Sequence, residues 1–228
     1  MVCHLAMPAP ACTSRASLTA ENAEPAVLRV EKLKVHGLPP LSFSVPAGEC
    51  LAVEGPSGSG KTMLLRAAAD LDPAPGYVFL EGAERSEMSA TRWRRRVGYL
   101  PAEPGWWAET AGAHMPNSDK TSRLVTALGL SLAILDQPVA ALSTGERQRL
   151  ALVRAVLGEP RALLLDEPTA SLDQASAAMV EELIKFQMLG GRPVLLVSHD
   201  PRQIERLSHA RLLLGTERRN GGSQGVAA

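Results

Sequence analysis

The pattern of apolar and polar residues predicts short strands along most of the chain. Early strands, which alternate with a repeat of two or lie beside Gly/Pro turns, are predicted at 26–35, 41–45 and 77–80. Continuous apolar runs, typical of buried strands, occupy 50–53, 162–165 and 193–197, and shorter strands are predicted at 97–100 and 211–214. We therefore expect an N-terminal antiparallel β layer beside a mainly parallel core sheet.

Helices are predicted where helix formers follow one another or where apolar residues recur every three to four positions. Such segments lie at 63–69, 119–130, 143–157 and 175–188. The third begins at Ser143, which is followed by Glu146 at the spacing of a capping box, and Gly158 and Pro160 end it. The irregular and then helical segment at about 102–158 predicts a small α-helical subdomain.

A glycine-rich loop connects the strand at 50–53 to the first helix. Its sequence fits G-x-x-x-x-G-K-[ST], the pattern of loops that bind nucleotide phosphates, and its residues are Gly55, Pro56, Ser57, Gly58, Ser59, Gly60, Lys61 and Thr62. The glycines allow successive N–H groups to point at one anion. Lys61 is predicted to contact the β- and γ-phosphates, and Thr62 to bind Mg²⁺. The alternative is a glycine-rich turn that fits by accident.

The length of the chain predicts one folded domain, which we place at 26–214 of the 228 residues. Residues 1–25 lack the basic start of a signal peptide, and Pro8 and Pro10 interrupt any apolar core, so a disordered tail is expected. Residues 215–228 are predicted to form a flexible tail. No apolar run approaches the ~20 residues that a membrane-spanning helix requires, so any membrane part must belong to another chain.

The charge and cysteine content indicate no special partner. Lys plus Arg and Asp plus Glu both number 24, so no nucleic-acid or anionic-membrane partner is predicted. The basic cluster at 92–96 favours a solvated helix end over a nucleic-acid patch. Cys3, Cys12 and Cys50 form no metal-ligand pattern and fit a reducing compartment, with Cys50 predicted to be a small buried residue.

Four further motifs follow the loop in order. Residues 142–149 read LSTGERQR, 166–169 read DEPT, 171–173 read SLD, and His199 follows the strand at 193–197. In this arrangement the chain resembles the ATP-binding cassette (ABC) transporter ATPases over residues 27–214. The resemblance adds a P-loop NTPase core to the predicted α/β fold.

The resemblance implies roles for individual residues. Asp166 would hold Mg²⁺ through water, Glu167 would act as the general base, and His199 would contact the γ-phosphate and orient Glu167. Lys61 would act in catalysis as well as binding. Ser143 and Gly145, in the signature motif, would contact ATP held by the loop of a second subunit, although Ser143 alone also fits simple helix capping.

The resemblance also implies a function. The chain would be the ATP-binding and ATP-hydrolysing subunit that energises transport by a separate membrane permease, as a peripheral protein at the cytoplasmic face of the inner (plasma) membrane. Its cassettes would pair, as a homodimer, around two ATP molecules. Its size and signature resemble small exporter subunits, including the iron-export type. The alternatives are a soluble ABC ATPase acting on DNA or ribosomes, and a regulatory ABC module that binds ATP with weak hydrolysis.

Three positions depart from the family pattern. Ala102 replaces the Q-loop glutamine and cannot ligate Mg²⁺, although Glu103 follows it. Thr144 replaces a signature glycine. His36 is the nearest candidate for the residue that stacks on adenine, where the family usually has an aromatic ring. In addition, Trp106–Trp107 are expected either to contact the permease or to belong to the core.

Overall fold

The computed structural model describes residues 28–215. The predicted N-terminal tail, the first two residues of the predicted strand at 26–35, and the predicted C-terminal tail from residue 216 onward lie outside the described residues. Cys3 and Cys12 lie there too.

The early strands form a four-stranded antiparallel sheet in the order β2-β1-β4-β5. Its strands are β1 (Leu28–Leu33), β2 (Leu41–Val45), β4 (Tyr77–Leu80) and β5 (Ala83–Glu84). Strand β1 is central, with Val30 opposite both Phe43 of β2 and Val78 of β4. Side chains of residues paired across neighbouring strands point to the same face of a sheet, and all three of these are buried. The predicted antiparallel layer is confirmed.

The second sheet has five parallel strands in the order β6-β7-β8-β3-β9. These strands are β3 (Cys50–Glu54), β6 (Val97–Leu100), β7 (Ala162–Asp166), β8 (Val194–Val197) and β9 (Ala210–Leu213). Strand β7 is buried along its whole length, as its continuous apolar run predicts. Because the strands are parallel, their carboxyl ends meet at one edge of the sheet, where ligands bind in open α/β folds.

The described residues contain six α-helices. They are α1 (Lys61–Ala68), α2 (Ala90–Arg96), α3 (Asp119–Ala127), α4 (Thr144–Leu157), α5 (Gln174–Leu189) and α6 (Pro201–Leu207). Helix α2 is attached to α1 by Trp93, which is fully buried and donates from its indole N–H to the Ala68 carbonyl at 3.0 Å. The basic cluster therefore ends a helix, and Arg96 of that cluster pairs with Glu81 at 2.6 Å.

Two apolar cores lie on the two faces of the parallel sheet. Leu163 and Leu165 of β7 face the core built with α3, α4 and α5. Ala162 and Leu164 of the same strand face the core between the parallel sheet, α1 and the antiparallel sheet. Cys50 is 1% exposed and lies in the first core, which confirms it as a small buried residue. The parallel sheet thus separates two cores and belongs to both.

The segment at 102–158 contains α3, α4 and three short 3₁₀ helices, Gly112–His114, Leu132–Asp136 and Val139–Ala141. Its description as a subdomain stays a prediction. The predicted helix at 119–130 ends earlier, at Ala127, because Gly129 adopts a left-handed φ of 69°. Leu132 lies beyond this end, in a 3₁₀ helix, and is 46% exposed. Among residues 28–215, no helix is long and apolar enough to cross a membrane.

Candidate nucleotide-binding site

The glycine-rich loop follows β3 and packs against Leu214, the residue after β9. A Cβ on Gly55, which has φ 154°, would lie 2.6 Å from the Leu214 carbonyl oxygen and 2.7 Å from Ser59 Oγ. No side chain fits there. Gly60 has φ 93° and directly precedes α1, so the loop turns into the helix through a left-handed residue.

Gly58 and Ser59 lie between these two glycines. Gly58 has φ 75°, again in the left-handed region. Ser59 Oγ is buried and has no hydrogen-bond partner among the described residues. An unpaired buried hydroxyl costs free energy unless a ligand satisfies it, so this atom fits the proposed binding of a phosphate. Pro56 and Ser57 form the outer turn of the same loop.

Lys61 lies across the loop. Its ammonium donates to the Gly55 carbonyl at 2.8 Å and to the Pro56 carbonyl at 2.9 Å, and the residue is only 7% exposed. An ammonium has three donors, so one remains for a phosphate oxygen without breaking either bond. The position of Lys61 is the one expected for contact with a nucleotide in the loop.

Thr62 and Asp166 supply oxygen atoms from two different elements. Thr62, in the first turn of α1, donates from Oγ1 to Asp166 Oδ2 at 2.7 Å, and Asp166 is the last residue of β7. A hydroxyl and a carboxylate are the ligand types that Mg²⁺ prefers, usually together with phosphates and water. Residues 28–215 contain no group of three or more His, Cys, Asp or Glu side chains suited to hold a metal alone. The residues present therefore fit Mg²⁺ bound together with a nucleotide.

Glu167 and His199 form a second pair at the same edge of the sheet. Glu167 has a left-handed φ of 50°, and its N–H donates to the Val197 carbonyl at 3.0 Å. Its Oε2 accepts from the His199 N–H at 3.3 Å, and its Oε1 lies 3.4 Å from His199 Nε2 without a hydrogen bond. Non-glycine residues with this φ are strained, and strain of this kind concentrates at functional sites.

Burial raises the pKa of the Glu167 carboxyl above its usual range, and the charge of Asp166 acts in the same direction. The hydrogen bond from the His199 backbone and the charges of His199 and Lys61 oppose this shift. A carboxylate with a raised pKa is a better proton acceptor than an ordinary glutamate. The site can therefore remove a proton from a bound water molecule.

Ser143 and Gly145 lie at the N-terminus of α4, in a different part of the molecule. Ser143 caps the helix, and a reciprocal capping box joins it to Glu146: the Glu146 N–H donates to Ser143 Oγ at 3.2 Å, and Glu146 Oε2 accepts from the Ser143 N–H and hydroxyl at 2.8 Å each. Gly145 packs against the segment after β7, since a Cβ there would lie 3.2 Å from the Ser171 carbonyl oxygen. Among the described residues, no hydrogen bond joins Ser143 or Gly145 to the glycine-rich loop.

Among the described residues, no hydrogen bond joins His36 to the glycine-rich loop. His36 is exposed in the turn after β1, and the residue that reaches the loop is Leu38, whose Cδ1 would lie 3.0 Å from a Cβ on Gly60. The prediction that His36 stacks on adenine stays a prediction. Leu38 was missed because it has no feature that distinguishes it from other apolar turn residues.

The Q-loop position lies at the surface. Ala102 and Glu103 are exposed, and no hydrogen bond joins the Glu103 side chain to any described residue. Instead, the hydroxyl of Tyr99, three residues before Ala102, lies 3.5 Å from Asp166 Oδ2. The sequence contained a signal for this residue, because Tyr99 is the only polar side chain in the strand at 97–100. Thr144, the other departure, lies with its hydroxyl 3.3 Å from an Arg147 nitrogen.

Trp106 and Trp107 form an aromatic surface together with His114 and Arg154. The Trp107 side chain is 77% exposed, whereas Trp106 is partly buried against the first core. The Arg154 guanidinium lies 4.5 Å from the Trp106 ring centre and 4.9 Å from that of Trp107. His114 Nε2 accepts from the N–H groups of Trp107 and Ala108 at 3.0 and 3.1 Å. The tryptophan pair is therefore half core and half surface.

Known proteins are similar to this chain in sequence and in fold. The family model described as "ABC transporter" matches residues 38–170. Protein STAR1 of rice (Oryza sativa subsp. japonica) is 38% identical over 187 residues, covering 76% of this chain and 54% of the rice protein. The molybdenum import ATP-binding protein ModC of Rhodopseudomonas palustris (strain BisB18) is 35% identical over 192 residues, covering 76% of this chain and 49% of that protein.

A solved dimeric ATP-binding cassette, in a post-hydrolysis state with ADP and phosphate bound, superposes with a TM-score of 0.74. It is 22% identical in sequence, and the match covers 82% of this chain and 94% of that one. At this identity the likeness concerns the fold alone. The chain spans about half the length of the curated relatives it matches.

The fold and the matches define a P-loop domain of the cassette type. The chain belongs to the ABC transporter family, whose ATP-binding cassettes hydrolyse ATP. This confirms the class that the sequence predicted and its α/β fold with a P-loop NTPase core.

Proposed function

We propose that the chain binds ATP with Mg²⁺ and hydrolyses it, and that this reaction energises a separate membrane permease. The proposal is supported by two pairs of polar residues that lie together at the carboxyl edge of the parallel sheet. Thr62 and Asp166 share a hydrogen bond of 2.7 Å, and Glu167 and His199 approach within 3.4 Å. The phosphate loop ends directly beside the first pair.

The proposed roles follow from this geometry. The loop amides and Lys61 hold the β- and γ-phosphates, while Thr62 and Asp166 hold Mg²⁺, which when bound neutralises developing phosphate charge. Glu167 accepts the proton of the attacking water, and its raised pKa suits this role. His199 fixes the Glu167 carboxylate through its backbone N–H, and its exposed ring remains free to contact the γ-phosphate.

We infer that the complete site needs two chains. Ser143 and Gly145, with the free N–H groups that begin α4, form an anion site that has no hydrogen bond to the loop of the same chain. A head-to-tail homodimer would place this helix start against ATP held by the other loop. The dimeric form of the cassette with the same fold supports this arrangement.

The test of this function is the variant Glu167→Gln. It keeps the shape of the side chain but removes the proton acceptor, so hydrolysis should fall by at least about 100-fold while ATP binding remains. ATP-bound dimers should then accumulate and double the mass measured by sedimentation. Wild-type protein without ATP serves as the monomer control. A variant that hydrolyses ATP at the wild-type rate would exclude Glu167 as the general base.

A second candidate function is an ABC module that binds ATP but hydrolyses it weakly, within a soluble or regulatory assembly. The exposed Ala102, which has no ligand atom for Mg²⁺, favours this candidate. Wild-type turnover as low as that of Glu167→Gln would establish it. Turnover that depends on Glu167 would favour the transporter subunit.

We propose that the aromatic surface of Trp106 and Trp107 contacts the permease and keeps the chain at the cytoplasmic face of the inner membrane. The proposal is supported by the exposure of the Trp107 side chain, which is 77% accessible while its ring is held beneath the Arg154 guanidinium. Changing both residues to alanine should preserve ATP binding but abolish co-purification with membranes, and Phe186→Ala, another exposed apolar residue, is the matched control. Unchanged membrane association would contradict the proposal.

The resemblance to small exporter subunits, including the iron-export type, stays a prediction. The molybdenum import relative does not support it.

A further inference from the structure

The hydroxyl of Tyr99 lies beside the carboxylate that we propose for Mg²⁺ binding. It is 3.5 Å from Asp166 Oδ2, the oxygen that also accepts the 2.7 Å hydrogen bond from Thr62. The parallel register of β6 and β7 explains this position, since Tyr99 pairs with Leu164, two residues before Asp166. The phenol is long enough to reach from there to the edge of the sheet.

The Thr62 and Tyr99 hydroxyls both donate to the same oxygen of Asp166, Oδ2. Among residues 28–215, no hydrogen bond reaches the other oxygen, Oδ1. One oxygen is therefore held by two elements, α1 and β6, while the second keeps its acceptor capacity for a ligand. A carboxylate held in this way is oriented before a ligand arrives, which reduces the cost of binding.

The carboxylate is the acceptor in this contact. An ionised carboxylate has no proton to donate, so the Tyr99 hydroxyl donates to Asp166 Oδ2.

We propose that Tyr99 is a positioning residue for Asp166 and thereby for the bound divalent cation. Through Tyr99, β6 gives the cation site the polar contact that Ala102, three residues later, cannot give. The inference rests on the proposed function, because it requires Asp166 to act at a nucleotide-associated metal. It assigns no ligand role to Tyr99 itself.

The test is Tyr99→Phe, which removes the hydroxyl and keeps the ring. Binding of Mn²⁺, followed by its electron paramagnetic resonance signal in the presence of ADP, should weaken about fivefold, the effect of losing one hydrogen bond of ordinary strength. Binding of a fluorescent ADP analogue in EDTA should not change. A purely structural role would instead weaken metal-free binding and lower the unfolding midpoint, and that result would overturn the proposal.

Two further variants sharpen the test. Tyr77→Phe, at the other tyrosine of the chain, which is 51% exposed on β4, should leave Mn²⁺ binding unchanged. Ala102→Gln added to Tyr99→Phe should restore Mn²⁺ affinity. Equal Mn²⁺ affinity in wild type and Tyr99→Phe would overturn the inference while leaving the proposed function intact. A wild-type chain that binds neither nucleotide nor Mn²⁺ would overturn the proposed function, and the inference with it.

Discussion

At the scale of single residues, Glu167 combines strain, burial and an unpaired oxygen. Its φ of 50° and the shielded Oε1 are both unfavourable for folding. A glutamate with a raised pKa is penalised in its charged form, so the unfolding free energy falls as the pH rises from the unfolded pKa through the folded one. At neutral pH the whole penalty applies. The native fold tolerates this penalty at a position where a strong proton acceptor is useful.

The raised pKa of Glu167 predicts the acid limb of the activity profile. As the pH is lowered, hydrolysis should fall to half of its maximum at a pH above 4.5, the usual pKa of a glutamate carboxyl. The reason is that Glu167 must be ionised to accept a proton. The measurement is the pH dependence of kcat, with circular dichroism to show that the protein remains folded. An acid limb at or below that value would contradict the prediction. As a second readout, Glu167→Gln should raise the unfolding free energy at neutral pH.

Sequence reasoning found the motif residues of the candidate site but not their neighbours. Lys61, Thr62, Asp166, Glu167 and His199 were found because each has a fixed place in a motif. Tyr99 and Leu38 were missed, since their approach to the loop and to Asp166 depends on strand register and on the path of a turn. Those are properties of the assembled sheets. The sequence marks Tyr99 only as the one polar side chain of its strand, and it does not mark Leu38 at all.

At the scale of elements, two anions compete for the N-terminus of α4: the Glu146 carboxylate and a bound phosphate. The Glu146 carboxylate accepts both the N–H and the hydroxyl of Ser143, the donors that a phosphate would need. These hydrogen bonds, the one from the hydroxyl first, lower the pKa of Glu146 and keep it ionised at neutral pH. The capping box thus stabilises the helix and occupies the anion site that the helix start provides.

Glu146→Gln should therefore strengthen dimerisation. Glutamine also forms a capping box, so the unfolding free energy should change by no more than about 0.5 kcal/mol. Removal of the negative charge should make ATP-driven dimers form at severalfold lower protein concentration, measured by sedimentation in the Glu167→Gln background. Glu87→Gln, in the capping box of the 3₁₀ helix Arg85–Glu87, is the matched control. If the two variants dimerise equally, the carboxylate does not compete with phosphate.

Most element boundaries could be predicted from sequence. Strand β4 begins and ends at the predicted residues, and α5 is one residue longer than predicted at each end. Gly190–Gly191 end this helix, as the sequence predicts. Helix α3 is shorter than predicted, since an apolar repeat continued past Gly129 into a 3₁₀ helix. Periodicity finds the helix, whereas a left-handed glycine ends it.

At the scale of the whole molecule, the two cores share one sheet. Because alternate residues of β7 belong to opposite cores, loss of either core exposes half of that strand. We expect one cooperative unfolding transition. In a variant with Trp106 and Trp107 changed to phenylalanine, the fluorescence of Trp93 should report the same urea midpoint as far-ultraviolet circular dichroism, which follows all helices. An earlier transition by circular dichroism would show that the segment at 102–158 unfolds independently.

The strand order of the parallel sheet has a consequence for biosynthesis. Strand β3, which leads into the phosphate loop, lies between β8 and β9, and the Leu214 carbonyl closes against Gly55. These neighbours are separated from β3 by most of the chain, so on the ribosome β3 has no strand beside it until residues 194–213 have emerged. The nascent chain must therefore complete translation of nearly the whole cassette before it can hold a nucleotide, and contacts between such distant segments form slowly.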